Sequence, residues 1–169
     1  MAKVSVFGID TFYKNIQALD QHARDICKGG LGEGAGYAAE VLRDAIELLP
    51  IRPNKPSKED HEKALYGVTE GEYAQILNNF GIAKFRDTGG AWNTSVGFSG
   101  YVTTRSPMWG NKVPTGYLVQ VVEYGTVDED GKEFRRPVHI ITSAINRSKD
   151  EIANQIQKYI DEKVNELTK

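Results

Sequence analysis

Cysteine is almost missing from this chain: Cys27 stands alone among 169 residues. No intramolecular disulfide can form, so the fold does not depend on an oxidising compartment. Long apolar runs are missing too. No stretch approaches ~18 consecutive apolar residues, the length a membrane-spanning helix needs. The opening MAKVSVFGIDTF lacks the apolar core and small-residue cleavage site of a secretory signal. The expectation is a chain made and used in a cytoplasm, in which the sequon Asn93-Thr94-Ser95 is a chance match. An excess of one charge sign is also lacking. With 21 basic and 23 acidic residues the net charge is −2, so bulk electrostatics do not make the whole chain a nucleic-acid binder.

Histidine is scarce, and that narrows the chemistry. His22, His61 and His139 lie in unrelated segments, and none has a partner at metal-ligand spacing. Asp60-His61-Glu62 reads as a solvated helical face. Cys27 sits near an apolar stripe at the expected end of a helix, where the dipole disfavours a thiolate, so it reads as buried and structural. No acid–base pair suited to catalysis emerges. The expectation is a protein that is not an enzyme, with no catalytic, cofactor-binding or metal-binding residues and no cofactor.

What is present is the composition of one soluble domain: 40% hydrophobic and 26% charged residues. A chain of this length buries roughly 70% of the surface exposed when unfolded. KVSVFG at 3–8 alternates like a short strand, and Asp10 reads as an N-cap. Phe12, Ile16, Leu19, Ala23 and Ile26 then recur at helical spacing, predicting a helix over 10–28 that stops at Gly29-Gly30. A second helix is expected over 36–49, where Tyr37, Val41, Ala45 and Leu48 share a face and Pro50 ends it. Between them, Gly34-Ala35-Gly36-Tyr37-Ala38-Ala39 fits the loose dinucleotide-binding pattern. No strand precedes it and no βαβ unit follows, so the glycines read as a mobile turn between two antiparallel helices.

PIRPNKP at 50–56 predicts an extended connection. Residues 57–81 read as two short helices within a helical insertion near 57–86. The second starts at a Thr69–Glu72 capping box and ends at Gly81. From Trp92 the period becomes two, with Trp92, Thr94, Val96 and Phe98 on one side, which predicts strands over 92–104. Residues 105–116 read as a loop carrying Met108 and Trp109, and DEDG at 128–131 as a turn. YLVQVVEYGT at 117–126 supports two readings, strand from its valines and helix from the spacing of Leu118, Val121 and Val122. A long helix over 138–167 follows from Ile141, Ile145, Ser148, Ile152, Ile156 and Tyr159.

Glu123 stands in an otherwise apolar run, where a carboxylate needs a partner to offset desolvation. Arg135 and Arg136 are the candidates, either at a sheet edge or across a subunit contact. Trp109, flanked by Pro107 and Gly110, is either tucked onto its own domain or an interface anchor.

The segment Tyr117…Val121-Val122-Glu123-Tyr124-Gly125-Thr126, followed by Arg136-Pro137-Val138 and Ala144, resembles the signature of the gene-product-ten-like neck and tail-completion proteins of siphophages. The resemblance extends upstream through Phe7-Gly8-Ile9, Leu48-Leu49-Pro50, Phe80-Gly81-Ile82-Ala83-Lys84-Phe85-Arg86-Asp87-Thr88-Gly89-Gly90 and Ser95-Val96-Gly97-Phe98, in the form found in phages and prophages of Gram-positive bacteria. Family members often carry Pro-Phe where this chain has Pro137-Val138. The resemblance implies an α+β domain with helices packed on one face of a small antiparallel sheet. It implies a virion protein assembled in the host cytoplasm as a homo-oligomeric ring, six-fold like its neighbours in the neck. Its partners would be head–tail connector, tail terminator or tail tube proteins, with no specific nucleic-acid sequence and no membrane. A tail terminator, another minor tail component, or a non-viral cytoplasmic binding module are the rival readings. The interface residues expected are Trp109, Glu123, Tyr124, Gly125, Thr126, Arg135, Arg136 and Pro137.

Overall fold

The computed structural model of the chain describes residues 9–53, 65–89, 91–104, 110–127 and 129–168. The expected strand at 3–8, the first short helix after Ser57 and the Met108–Trp109 loop lie outside these residues.

The fold is mixed α+β, with long N- and C-terminal helices packed together and several small two-stranded ladders. Helix α1 runs unbroken over Ile9–Glu47, straight through the glycine cluster. This corrects both the two-helix expectation and the mobile turn. The helix C-terminal to it in space is α4, Ile140–Leu167. Asn15 reaches the carbonyl of Thr168 at one end, while Val41 and Ala45 face Ile140 and Ala144 at the other, so the pair is antiparallel.

The glycines are what let the two helices touch. A β-carbon at Gly34 would sit 2.5 Å from Ile156 Cγ1, one at Gly30 3.1 Å from Ile160 Cγ1, and one at Gly29 would overlap the Tyr159 ring. Each glycine costs helix propensity of about 1 kcal/mol relative to alanine. Burial of Ile156, Ile160 and Tyr159 against a bare backbone offsets that cost. The periodicity of α4 follows the expectation, with Ile141 and Ser148 buried and Ile145, Ile152, Ile156 and Tyr159 half-buried.

The core lies where the C-terminal half of α1 meets α2 (Glu70–Asn78), α3 (Thr115–Tyr124) and the start of α4. Ile46, Ile76, Val68, Val102 and Val122 are its largest fully buried apolar side chains, each worth roughly 1.5–3 kcal/mol on transfer from water. On α1 the inward face is Leu42, Ala45, Ile46 and Leu49, whereas Leu48 is 71% exposed. Cys27 is exposed, not buried, because α4 touches the adjoining face at Ile26 and Gly30.

The chain between α1 and α3 forms short ladders instead of one sheet. β1 (Ile51–Arg52) pairs in parallel with β2 (Val68–Thr69). The capping box is present at α2: Glu72 N–H donates to Thr69 Oγ1 at 3.2 Å and Thr69 N–H to Glu72 Oε2 at 2.9 Å. The helix ends at Asn79, not Gly81. From Phe80 the chain is strand, so the expected helical insertion over 57–86 fails in its last residues. β3 (Phe80–Ile82) pairs antiparallel with β6 (Val96–Phe98), and β4 (Arg86–Thr88) with β5 (Ala91–Asn93). Together they make one bent ribbon. Trp92 and Phe85 of the ribbon flank Lys28 of α1 at 5.0 and 6.0 Å, and Asp87 pairs with Arg24 at 2.6 Å.

β7 (Tyr101–Val102) pairs with β8 (Val113–Pro114), so the expected loop at 105–116 closes into a strand at Val113. Asn79 Nδ2 donates to Thr115 Oγ1 at 2.8 Å and to the Tyr101 carbonyl at 3.1 Å. That side chain ties the end of α2 to β7 and α3. Residues 117–124 are helix, which decides between the two readings. β9 (Thr126–Val127) and β10 (Glu133–Arg135) form a bulged hairpin around the expected turn.

Candidate functional site

The expected interface residues from Glu123 to Pro137 converge at the joint between α3, the β9–β10 hairpin and the start of α4. Leu118, Val119 and Val122 are buried at helical spacing on the inner face of α3, and Gly125 ends the helix by donating its N–H to the Val121 carbonyl at 2.9 Å. Gly125 takes φ 74° and ψ 177°, a region essentially restricted to glycine. A β-carbon there would lie 2.7 Å from the Arg135 carbonyl oxygen and 3.0 Å from Pro137 Cδ. The chain turns sharply at this point and β10 crosses directly against it.

Glu123 is 3% exposed, and its partners are not Arg135 or Arg136. Its carboxylate accepts the Ile141 N–H at 2.9 and 3.1 Å and the Thr142 N–H at 3.4 Å. It therefore caps α4 from outside that helix. The residue at the N-cap position, His139, makes no side-chain cap bond and sits at φ 54°, a left-handed conformation. The unpaired first-turn donors and the positive end of the helix dipole hold the negative carboxylate. Backbone bonds close the joint: Val138 N–H to the Val122 carbonyl at 3.1 Å and His139 N–H to that of Glu123 at 3.3 Å. Tyr124 covers the outer side of the joint, 59% exposed, with its hydroxyl 3.1 Å from Thr142 Oγ1 and its ring edge-on to His139.

Arg135 belongs to a second cluster. It is 5% exposed and donates from Nη1 to the Gly67 carbonyl at 2.7 Å. Burial pulls its pKa below the ordinary guanidinium value. The nearby Glu72 carboxylate opposes this shift, and Arg52 adds to it. Glu72 also lies 3.6 Å from Arg52. Arg52 is thus the ion-pair partner of Glu72, and Arg135 lies close enough to feel both charges. The Nε atoms of Arg52 and Arg135 and the Oγ1 of Thr126 are buried without a hydrogen-bond partner. Arg136 points outward, 3.9 Å from Glu133, while its backbone N–H bonds the Leu65 carbonyl. Trp109, the remaining expected residue, lies outside the described residues.

Sequence reasoning missed Arg52, Glu72 and Gly67 as members of the joint. Gly67, at φ +75°, is pressed so closely on the Pro50 carbonyl that a β-carbon would overlap it. The Thr69–Glu72 capping box was the only available signal, and it pointed to a helix start instead of a charge cluster. Around the joint, large apolar side chains remain exposed: Leu48, Ile51, Tyr66, Val127 and Phe134. A groove of about 450 Å³ runs between α1 and α4 beside Leu48, floored by Val41, Ala45, Ile140 and Ala144 and edged by Asp44, His139 and Arg147. Among the described residues no group of three or more His, Cys, Asp or Glu is placed to hold a metal ion, and no helix is long and apolar enough to cross a membrane.

Comparisons with protein-family models, with curated proteins and with solved structures find no match to this chain.

Proposed function

We propose that the chain is a structural protein of a long-tailed bacteriophage virion, a ring-forming neck or tail-completion protein at the head–tail junction. The observation that carries this reading is the joint itself. The residues through which the sequence resembles the siphophage family are Val121–Thr126 and Arg136–Val138. In the fold they form one unit: helix end, glycine turn, crossing strand and helix start. Short motifs scattered over a chain match by chance more readily than motifs whose members depend on one another. Here Glu123 caps the helix that follows Pro137, and Gly125 is required by the strand that precedes it.

The surface around the joint also supports an assembling protein. Several exposed large apolar residues rimmed by charge are the usual mark of a protein–protein contact. Closed rotational symmetry suits such a contact in a virion, because an open head-to-tail series would form filaments. The ring would meet head–tail connector proteins on one side and the tail terminator or tail tube on the other. Placement as the terminator itself is the second reading, and it uses the same joint.

The test is location. Gold-labelled antibody against the chain, applied to virions from a lysate that expresses it, should mark the junction between head and tail. Label along the tail tube, at the distal tip, or absent from purified virions contradicts the proposal.

A further inference from the structure

Helix α1 is held differently at its two ends. Its C-terminal part belongs to the buried core through Leu42, Ala45, Ile46 and Leu49. Its N-terminal part lies on α4 as a single layer of helix on helix. Among the described residues, Ile26 is the one buried side chain from Lys14 to Lys28, and α4 has none from Lys149 to Thr168. Polar contacts add to this layer. Arg24 pairs with Asp87, Lys28 lies near the rings of Phe85 and Trp92, and Asn15 reaches the Thr168 carbonyl. Such exposed charge contacts hold a helix weakly compared with a buried core.

Between the two parts stand five glycines in eight residues: Gly29, Gly30, Gly32, Gly34 and Gly36. Packing accounts for three of them, since β-carbons at Gly29, Gly30 and Gly34 would press on Tyr159, Ile160 and Ile156. It does not account for the other two. A β-carbon at Gly32 would make ordinary contact with Phe85 at 3.7 Å, and one at Gly36 would meet nothing within 4 Å. Alanine fits both positions, so glycine there weakens the helix with no gain in contact. Helices bend where glycine gathers, and they open locally where few apolar contacts support them.

We infer that residues 29–36 are a hinge built into α1. The N-terminal part of the helix swings away from α4 at the glycines, while the C-terminal part stays in the core. The movement bares the strip Ile152, Ile156, Tyr159 and Ile160 on α4. The helix that bends is α1, because α4 has neither glycine nor proline over Ile140–Leu167. The closed, continuous helix is the resting state, and the open form is a minor population in exchange with it. This device is independent of the virion reading above.

The test uses the full chain with Cys27→Ser, so that no native thiol competes. A single cysteine is then placed at a buried site on either side of the glycines, Ile26→Cys or Ile46→Cys, and its labelling by iodoacetamide is timed. The thiol at 26 should react at least about tenfold faster than the thiol at 46, because the hinge opens without the core. Adding Gly32→Ala and Gly36→Ala should slow labelling at 26 by roughly five- to thirtyfold, the worth of two such changes in a helix interior. Equal rates at 26 and 46 mean that α1 opens only with the whole molecule, and they overturn the inference. A rate at 26 that ignores both alanines overturns it too, because simple fraying from the N-terminus would not pass through the glycines. Hydrogen exchange of the unmodified chain guards against a cysteine variant that fails to fold. Amides over 29–36 should exchange faster than those over 42–46, and equal protection of the two stretches contradicts the hinge.

Discussion

Gly125 and Glu123 carry the joint, and each has a sharp consequence on substitution. Gly125→Val places a branched side chain in a backbone region that costs of order 1–3 kcal/mol for non-glycine residues. It also drives a β-carbon into the Arg135 carbonyl. The urea midpoint should fall accordingly, and equal midpoints for variant and parent contradict the geometry. Positive φ at this glycine was legible in the sequence, because an apolar run ends there and a turn begins. Glu123 was legible only by half. A carboxylate in an apolar run announces that it has a partner, but charge patterning points to basic side chains. The partners are backbone N–H groups at the start of α4, which no side-chain reading displays. Glu123→Ala should leave those donors buried and unpaired, at about 1–3 kcal/mol. Glu123→Gln keeps an acceptor oxygen and should cost less. Hydrogen exchange at the Ile141 and Thr142 amides should accelerate in the alanine variant first.

Among the elements, α4 and α2 were readable because their signals are local. A long repeat of apolar residues defines α4, and a reciprocal Thr69–Glu72 box defines the start of α2. The glycine cluster misled because local propensity favours a break there, while the packing that overrides it comes from Ile156, Ile160 and Tyr159, more than 120 residues away in sequence. The ribbon over 80–98 was half legible. Alternation from Trp92 to Phe98 is clean, but its partner strand carries Gly81 directly after a helix, where glycine usually signals a helix stop. One pair of substitutions separates the continuous helix from a turn. Gly36 has open space around an added β-carbon, so Gly36→Ala should stabilise by roughly 0.5–1 kcal/mol as in any helix interior. Gly34→Val meets Ile156 and should lower the melting temperature by pushing α1 from α4. A mobile turn would show little response to either change.

At the scale of the whole molecule, the α+β class and the long terminal helix were legible, but the single antiparallel sheet expected from the resemblance is replaced among the described residues by separate two-stranded ladders, one of them parallel. Ladders of two and three residues are held by neighbouring helices and by side chains such as Asn79, and no periodicity of useful length survives in strands so short. The seven described interface candidates do come together around one joint, although Arg135 and Glu123 serve different clusters within it. On the proposed reading, the exposed apolar residues around the joint, Leu48, Ile51, Tyr66, Val127 and Phe134, serve a protein contact, and head–tail joining is the assembly that the sequence resemblance proposes. Deleting the gene from the phage or prophage that carries it tests this most directly. Electron microscopy of the induced lysate should then show filled heads and complete tails that are separate, with infectivity restored by the chain supplied in trans. Joined, infectious virions in the absence of the protein would contradict the account.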